Sequence, residues 1–246
     1  VSVLYKLESG GSGNGITDFL KRQQCGHAAV LAKVEPKSIA RGNQLRGTIY
    51  HAFTEIYRTL GEKYDPSTVE FVSDMEMPSE FLEKRQEAER CFNAFQERYC
   101  STFGGTVLGI EKSFELEGLT ARLDALIQLP EENELKVPAG TYVVDDKCLS
   151  MFGPSDRAMY EYSPQAAWYR HVSGADGVVF LCCIATTKPR FEIVVAKPWA
   201  KAEVQALEAR MRLPLVDERS YNCTTKYGNC KYMKQCLGKE SEDGNS

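Results

Sequence analysis

The sequence lacks any apolar run approaching the ~18–20 residues that a helix needs to cross a bilayer, which argues against a membrane-spanning helix. It also lacks the basic and then apolar layout of a secretion signal, since the chain begins VSVLYKLESGG. A cytoplasmic protein with no membrane partner is therefore expected. Excess positive charge is missing too. The formal net charge is −4, which excludes a histone-like, generally adhesive nucleic-acid binder but leaves room for a local basic groove. No internal repeat occurs. Apart from the glycine–serine run at 8–15 there is no low-complexity segment, so residues 1–15 are expected to form a flexible N-terminal segment. Finally, the nine cysteines contain no C-x-x-C pair. An odd count also fits a complete disulfide set poorly.

What is present is enough for a sizeable core: 246 residues, 43% of them hydrophobic. Residues 16–240 read as a single domain. Helical spacing appears at 16–31 and at 47–60, where Ile49, Phe53, Ile56 and Leu60 form a stripe ended by Gly61. Residues 36–46 read as a basic, polar link and 66–77 as a loop. A long amphipathic helix is expected over 78–103, its charges forming a solvated face. From Thr106 the period changes to two, giving strands at 107–116, 119–129 and 140–148, then at 178–186 and 190–197. A helix carrying Gln165 crosses between the third and fourth strands, and another covers 199–212. The pattern predicts an α/β fold, with a central mixed sheet flanked by helices.

Chemistry concentrates around the third strand. Side chains alternate along a strand, so Asp145 and Lys147 project together while Asp146 points to the opposite face. A further carboxylate, Asp124, lies in the preceding strand, and Gln165 and Tyr169 share a face of the following helix. Upstream, Gly47 and His51 lie one helical turn apart. Singly, each has a plainer reading: a surface ion pair, a turn aspartate, a half-buried histidine, helix packing. Glu111 reads as a solvent-facing strand residue or an outlying acid.

In this order, Gly47-x-x-x-His51, Asp124, Asp145-Asp146-Lys147 and Gln165-x-x-x-Tyr169 resemble the PD-(D/E)XK nuclease superfamily in its RecB-like exonuclease branch. Two departures are visible. Ala121 stands where many relatives carry glycine, and Cys148 follows the lysine where threonine or serine is common. The resemblance implies a restriction-endonuclease-like core and a metal-dependent deoxyribonuclease acting on DNA ends or single-stranded DNA. Recombination, repair, phage replication or CRISPR spacer acquisition would be its setting, with recombination or CRISPR adaptation proteins as partners. Asp124 and Asp145 would ligate Mg²⁺ or Mn²⁺, joined by His51 and the Cys148 carbonyl. Lys147 would orient the attacking water or neutralise phosphate charge. Gln165 and Tyr169 would contact the DNA backbone or position Lys147. Two other classes stand beside this one: a non-catalytic DNA-binding or assembly subunit with the same fold, and a cluster-based redox or metal sensor. Lys21, Arg22, Arg41, Arg46, Lys226, Lys231 and Lys234 are candidates for a DNA path.

Cys91, Cys100, Cys148, Cys182 and Cys183 lie in apolar segments and read as packing residues. Cys223, Cys230 and Cys236 do not, because their tail is too polar to bury them as hydrophobes. Cys25, also in a polar context, is the best fourth thiolate, which makes 16–31 and 220–240 the cluster-binding elements. Four thiolates fit a [4Fe–4S] cluster or Cys₄ zinc, with Zn²⁺ as the alternative. The absence of C-x-x-C knuckles and the similarity to iron–sulfur exonucleases of the RecB-like group, CRISPR-associated adaptation nucleases and phage-encoded relatives among them, favour iron–sulfur. Closing a loop of about two hundred residues this way constrains the unfolded chain by a few kcal/mol. Anaerobically purified protein is expected to contain iron and acid-labile sulfide in equal amounts. Zinc alone on elemental analysis refutes the cluster.

Overall fold

The computed structural model describes residues 3–7, 39–61, 64–213, 224–225 and 228–229. Strand β1 (Val3–Lys6) pairs in parallel with β2 (Val69–Val72). Between them in sequence runs helix α1 (Gly42–Leu60), and α2 (Phe81–Gln96) follows. The central sheet has five strands, hydrogen-bonded in chain order: β3 (Thr106–Leu116), β4 (Leu119–Leu129), β5 (Gly140–Leu149), β6 (Gly177–Ile184) and β7 (Arg190–Val195). β5 and β6 are parallel, and the other neighbours are antiparallel. A parallel pair needs a crossover, which α3 (Pro154–Glu161) and α4 (Pro164–Ser173) supply. α5 (Lys201–Met211) comes after β7, and Thr224–Thr225 pairs with Gly228–Asn229. Among the described residues no helix is long and apolar enough to cross a membrane.

Helices cover both faces of the sheet. On one, Ile49 and Phe53 of α1 and Phe92 and Phe95 of α2 pack on Ala125, Val144 and Leu181. On the other, Tyr160 of α3, Trp168 of α4 and Leu207 of α5 pack on Leu123, Val143 and Phe180. β6 is buried along its whole length, as the apolar run GVVFLCCI requires of a strand covered on both sides. The expected mixed α/β sheet is therefore present, and its strands fall where the two-residue period places them.

Several boundaries differ. The expected loop at 66–77 contains β2, and the expected flexible segment 1–15 begins with β1. Val69 and Phe71 are buried while Glu70 is exposed, so alternation is present but spans only four residues. The two strands are far apart in sequence and too short to be recognised singly. α1 starts at Gly42, not at 47, because Leu45 and Arg46 are buried against the fold. Leu60, expected on the apolar stripe, is exposed. α2 ends at Gln96, short of 103. Tyr99 and Phe103 turn back to pack edge-on to each other, and each also meets Phe95. The predicted helix at 16–31 lies outside the described residues.

One contact fixes α1 to the sheet. Arg58, near its end, grips Asp146 of β5 with both guanidinium nitrogens, the second bond being 3.0 Å from Nη2 to Oδ1. Both side chains are essentially without solvent exposure, and the guanidinium lies over the rings of Phe95 and Phe103. Buried charges persist only when paired. Arg58→Met is therefore expected to cost about 3–5 kcal/mol of unfolding free energy, measured in urea. Arg58→Met with Asp146→Leu should recover most of that loss. No recovery would mean that the loss does not come from leaving Asp146 buried and unpaired.

Candidate active site

The β4–β5 ladder stops at Ala125 and Val144, whereas β5 stays paired to β6 as far as Leu149. The two strands thus part at a fork, and the next residue on each side is an aspartate: Asp124 on β4 and Asp145 on β5. β4 twists sharply there. Leu123 packs on one face of the sheet and Ala125 on the other, and Glu111 opposite takes a left-handed φ of 47°.

Residues from three further positions close on the fork. His51, two turns before Arg58 on α1, places Nδ1 3.1 Å from Asp124 Oδ2. That same oxygen accepts the backbone N–H of Asp146 at 2.9 Å. Lys147 Nζ lies 2.8 Å from both oxygens of Asp145 and 5.8 Å from the Phe180 ring centre. From α4, the Gln165 side-chain amide donates to Tyr169 Oη at 2.7 Å, and Tyr169 lies in the field of both aspartates and Lys147. Asp146 points the other way, to Arg58, as strand alternation predicts.

Burial governs the electrostatics. It disfavours charge on Asp145, and Asp124 adds to this by repulsion and by a side-chain hydrogen bond. Against the pull of Lys147, the carboxyl is held up at about 7. Burial opposes the charge on Asp124 as well, but His51 and Lys147 outweigh it and hold the group well below the usual carboxylate range. His51 has its burial penalty overcome by Asp124 and rises to about 9. Lys147 is likewise held charged by Asp145 and Asp124. Burial and mutual repulsion thus push the Asp145 carboxyl up while His51 and Lys147 hold the Asp124 carboxyl down, as expected of two acids forced together.

Other side chains fall differently. The Cys148 thiol faces the layer of α1 and α2, where hydrogen bonds with the thiols of Cys183 and Cys91, and then the Arg46 guanidinium, pull its pKa down. Only its backbone is left for the carboxylate side. Arg46, expected along a DNA path, is instead buried and bonded to Glu87 (3.2 Å) and Ser150 (3.0 Å). Arg41 is exposed. Lys21, Arg22, Lys226, Lys231 and Lys234 lie outside the described residues, as do Cys25, Cys223, Cys230 and Cys236. Glu111 is mostly buried rather than solvent-facing. Its carboxylate is 2.6 Å from Arg122 Nε, and burial followed by Asp124 raises it to about 7. Glu55, one turn after His51, accepts a 2.7 Å hydrogen bond from Tyr5. The sequence carried no signal for that bond.

No group of three His, Cys, Asp or Glu side chains among the described residues stands in metal-holding geometry. His51 is turned onto Asp124, and Lys147 caps Asp145. Asp124 and Asp145 supply oxygen donors of the kind a hard divalent cation takes, and a cation between them would relieve their repulsion.

These features define a mixed α/β protein with a buried carboxylate–lysine–histidine constellation. No family model matches the chain, and no curated protein matches it. Among solved structures, the crystal structure of SSO0001 resembles it with a TM-score of 0.36 and 15% identity, over 92% of this chain and 98% of that one. A likeness of that degree carries no argument.

The titrations make a test. A divalent ion held by these groups at neutral pH would displace the His51 proton and part of the Asp145 proton. Its affinity should therefore tighten about tenfold or more per pH unit between roughly pH 6 and 8, read by calorimetry with Mn²⁺. A pH-independent affinity rules out these ligands. Without metal the sign reverses. The raised Asp145 contributes stability that is fully present below its unfolded value near 4 and is lost as pH rises through about 7. Asp145→Asn should remove that share of the slope and leave the share of Glu111.

Proposed function

We propose that this protein is a divalent-metal-dependent deoxyribonuclease with a restriction-endonuclease-like core, hydrolysing phosphodiester bonds at DNA ends or in single strands. The observation that carries this reading is the fork itself. Two aspartates follow the last paired residues of β4 and β5, a lysine sits 2.8 Å from one of them, and a histidine sits 3.1 Å from the other.

Asp124, Asp145 and His51, with the Cys148 carbonyl, would hold Mg²⁺ or Mn²⁺. The ion supplies charge stabilisation for the phosphate and lowers the pKa of a bound water. Lys147 stays charged beside Asp145, so in the resting site it serves as an electrostatic partner for a phosphate oxygen or as an orienting donor to water. Tyr169 keeps its hydroxyl proton, since burial and then the two aspartates resist ionisation. Held by Gln165, it is a donor to a phosphate oxygen. Gly47 lies one turn before His51 on the same face of α1, and a side chain there would meet nothing. A mid-helix glycine costs about 1 kcal/mol relative to alanine, and the space it leaves beside His51 suits the approach of a substrate backbone. The four thiolates Cys25, Cys223, Cys230 and Cys236 complete the proposal as a [4Fe–4S] site pinning the two ends of the chain.

End-labelled single- and double-stranded DNA incubated with Mn²⁺ or Mg²⁺ tests the reading. Lys147→Ala and Asp145→Ala are each expected to reduce the digestion rate by about 10³-fold or more. Equal rates for both variants and the parent protein would remove the catalytic assignment.

A further inference from the structure

α4 has two working faces. Gln165 and Tyr169 turn towards the fork. The adjoining face, with Ala166, Ala167 and Arg170, lines a separate cavity of ≈440 Å³ between α4, α5 and the ends of β6 and β7. That volume is in the range of small-molecule sites. Its floor is apolar and made of small side chains, including Ala175, Val178 and Ala196, and the half-buried Trp199 indole forms a wall.

The rim is cationic, although the chain as a whole has a net charge of −4. Among the described residues neither Arg170 nor Lys201 forms an ion pair, and the one hydrogen bond of Arg170 is a long 3.4 Å contact from Nε to the Ala175 carbonyl. Glu208, the acid on the rim, is already held by Arg212 and lies 3.6 Å from His171. Lys197 is turned away to Glu161 (3.1 Å) and Tyr162 (2.7 Å). The α5 N-terminus is capped by Glu203, which accepts from the Ala200 N–H at 2.7 Å. An anion would therefore be held by the Arg170 and Lys201 side chains.

We infer that this cavity binds a nucleotide, its base stacked on Trp199 over the alanine floor and its phosphate held by Arg170 and Lys201. An apolar floor of small residues with an indole wall suits a planar ring, and a guanidinium and an ammonium lining the same cavity suit a phosphate. The ligand belongs either to a free mononucleotide or to a strand passing over α4. The inference uses none of the carboxylate-site residues.

The test uses the full chain in EDTA, so that no cleavage intervenes. Trp168 is fully buried and Trp199 is not, so quenching of tryptophan emission reports on this cavity. Deoxyadenosine monophosphate should quench saturably, whereas deoxyadenosine and inorganic phosphate, each carrying half the recognition, should bind at least about tenfold more weakly. Arg170→Gln and Lys201→Gln lie on the rim and should keep the fold by circular dichroism. Each should weaken the monophosphate about tenfold, as loss of a charged hydrogen bond does. A 5′-phosphorylated hexadeoxyadenylate that binds tighter than the monomer assigns the site to a strand; equal or weaker binding assigns it to the free nucleotide. Failure of both probes to quench at millimolar concentration, or unchanged affinity in both rim variants, overturns the inference. Lys147→Ala should leave this binding intact, so it and the nuclease reading fail separately.

Discussion

The architecture depends on the buried ion pair between Arg58 and Asp146. Two charges without solvent would be ruinous singly, so α1 and β5 are held in the one register that lets the guanidinium meet both carboxylate oxygens. Position follows from that register. His51 lies seven residues before Arg58 on the same side of α1, and it arrives over Asp124. The Asp146 backbone N–H meanwhile donates to Asp124 Oδ2, so one residue secures the helix with its side chain and the neighbouring acid with its main chain.

With that scaffold in place, the fork becomes a strained electrostatic site. β5 must stay paired with β6 to complete the parallel crossover, while β4 leaves after Ala125, so Asp124 and Asp145 are fixed close together. Their environments divide them: His51 and Lys147 hold the Asp124 carboxyl down, while burial and Asp124 push the Asp145 carboxyl up despite Lys147. Pairs of groups pushed apart in this way mark sites built for chemistry more often than sites built for stability. The left-handed Glu111 on the facing strand fits the same picture, because the sheet twists where the ladder opens.

α4 links this arrangement to the neighbouring cavity. It is anchored between Ser163, whose hydroxyl accepts the Ala166 N–H at 3.3 Å, and Gly174 at a φ of 67°. Its buried Trp168 faces the sheet, its Gln165–Tyr169 pair faces the fork, and its small residues face the cavity beneath Trp199. A ten-residue helix thus borders both polar sites, separated by little more than its own width.

What the sequence alone determined is what depends on local periodicity: the five strands of the sheet, the opposed directions of Asp145 and Asp146, the shared face of Gln165 and Tyr169, and the helical setting of His51. These follow from the two- and 3.6-residue repeats and need no knowledge of neighbours. What only the tertiary structure decided depends on which surfaces meet. Arg46 reads in sequence as the end of a basic, polar link and a candidate for a DNA path, yet it and Arg58 are both buried against partners distant in the chain. β1 and β2 are each too short to be strands until they find one another. The Cys148 thiol, on the Asp146 side of its strand, finds Cys91, Cys183 and Arg46 as neighbours, and Glu111 is enclosed by the twist at the fork. Burial and pairing are properties of the packed chain, and they set both the charge of every group in the site and the direction in which it acts.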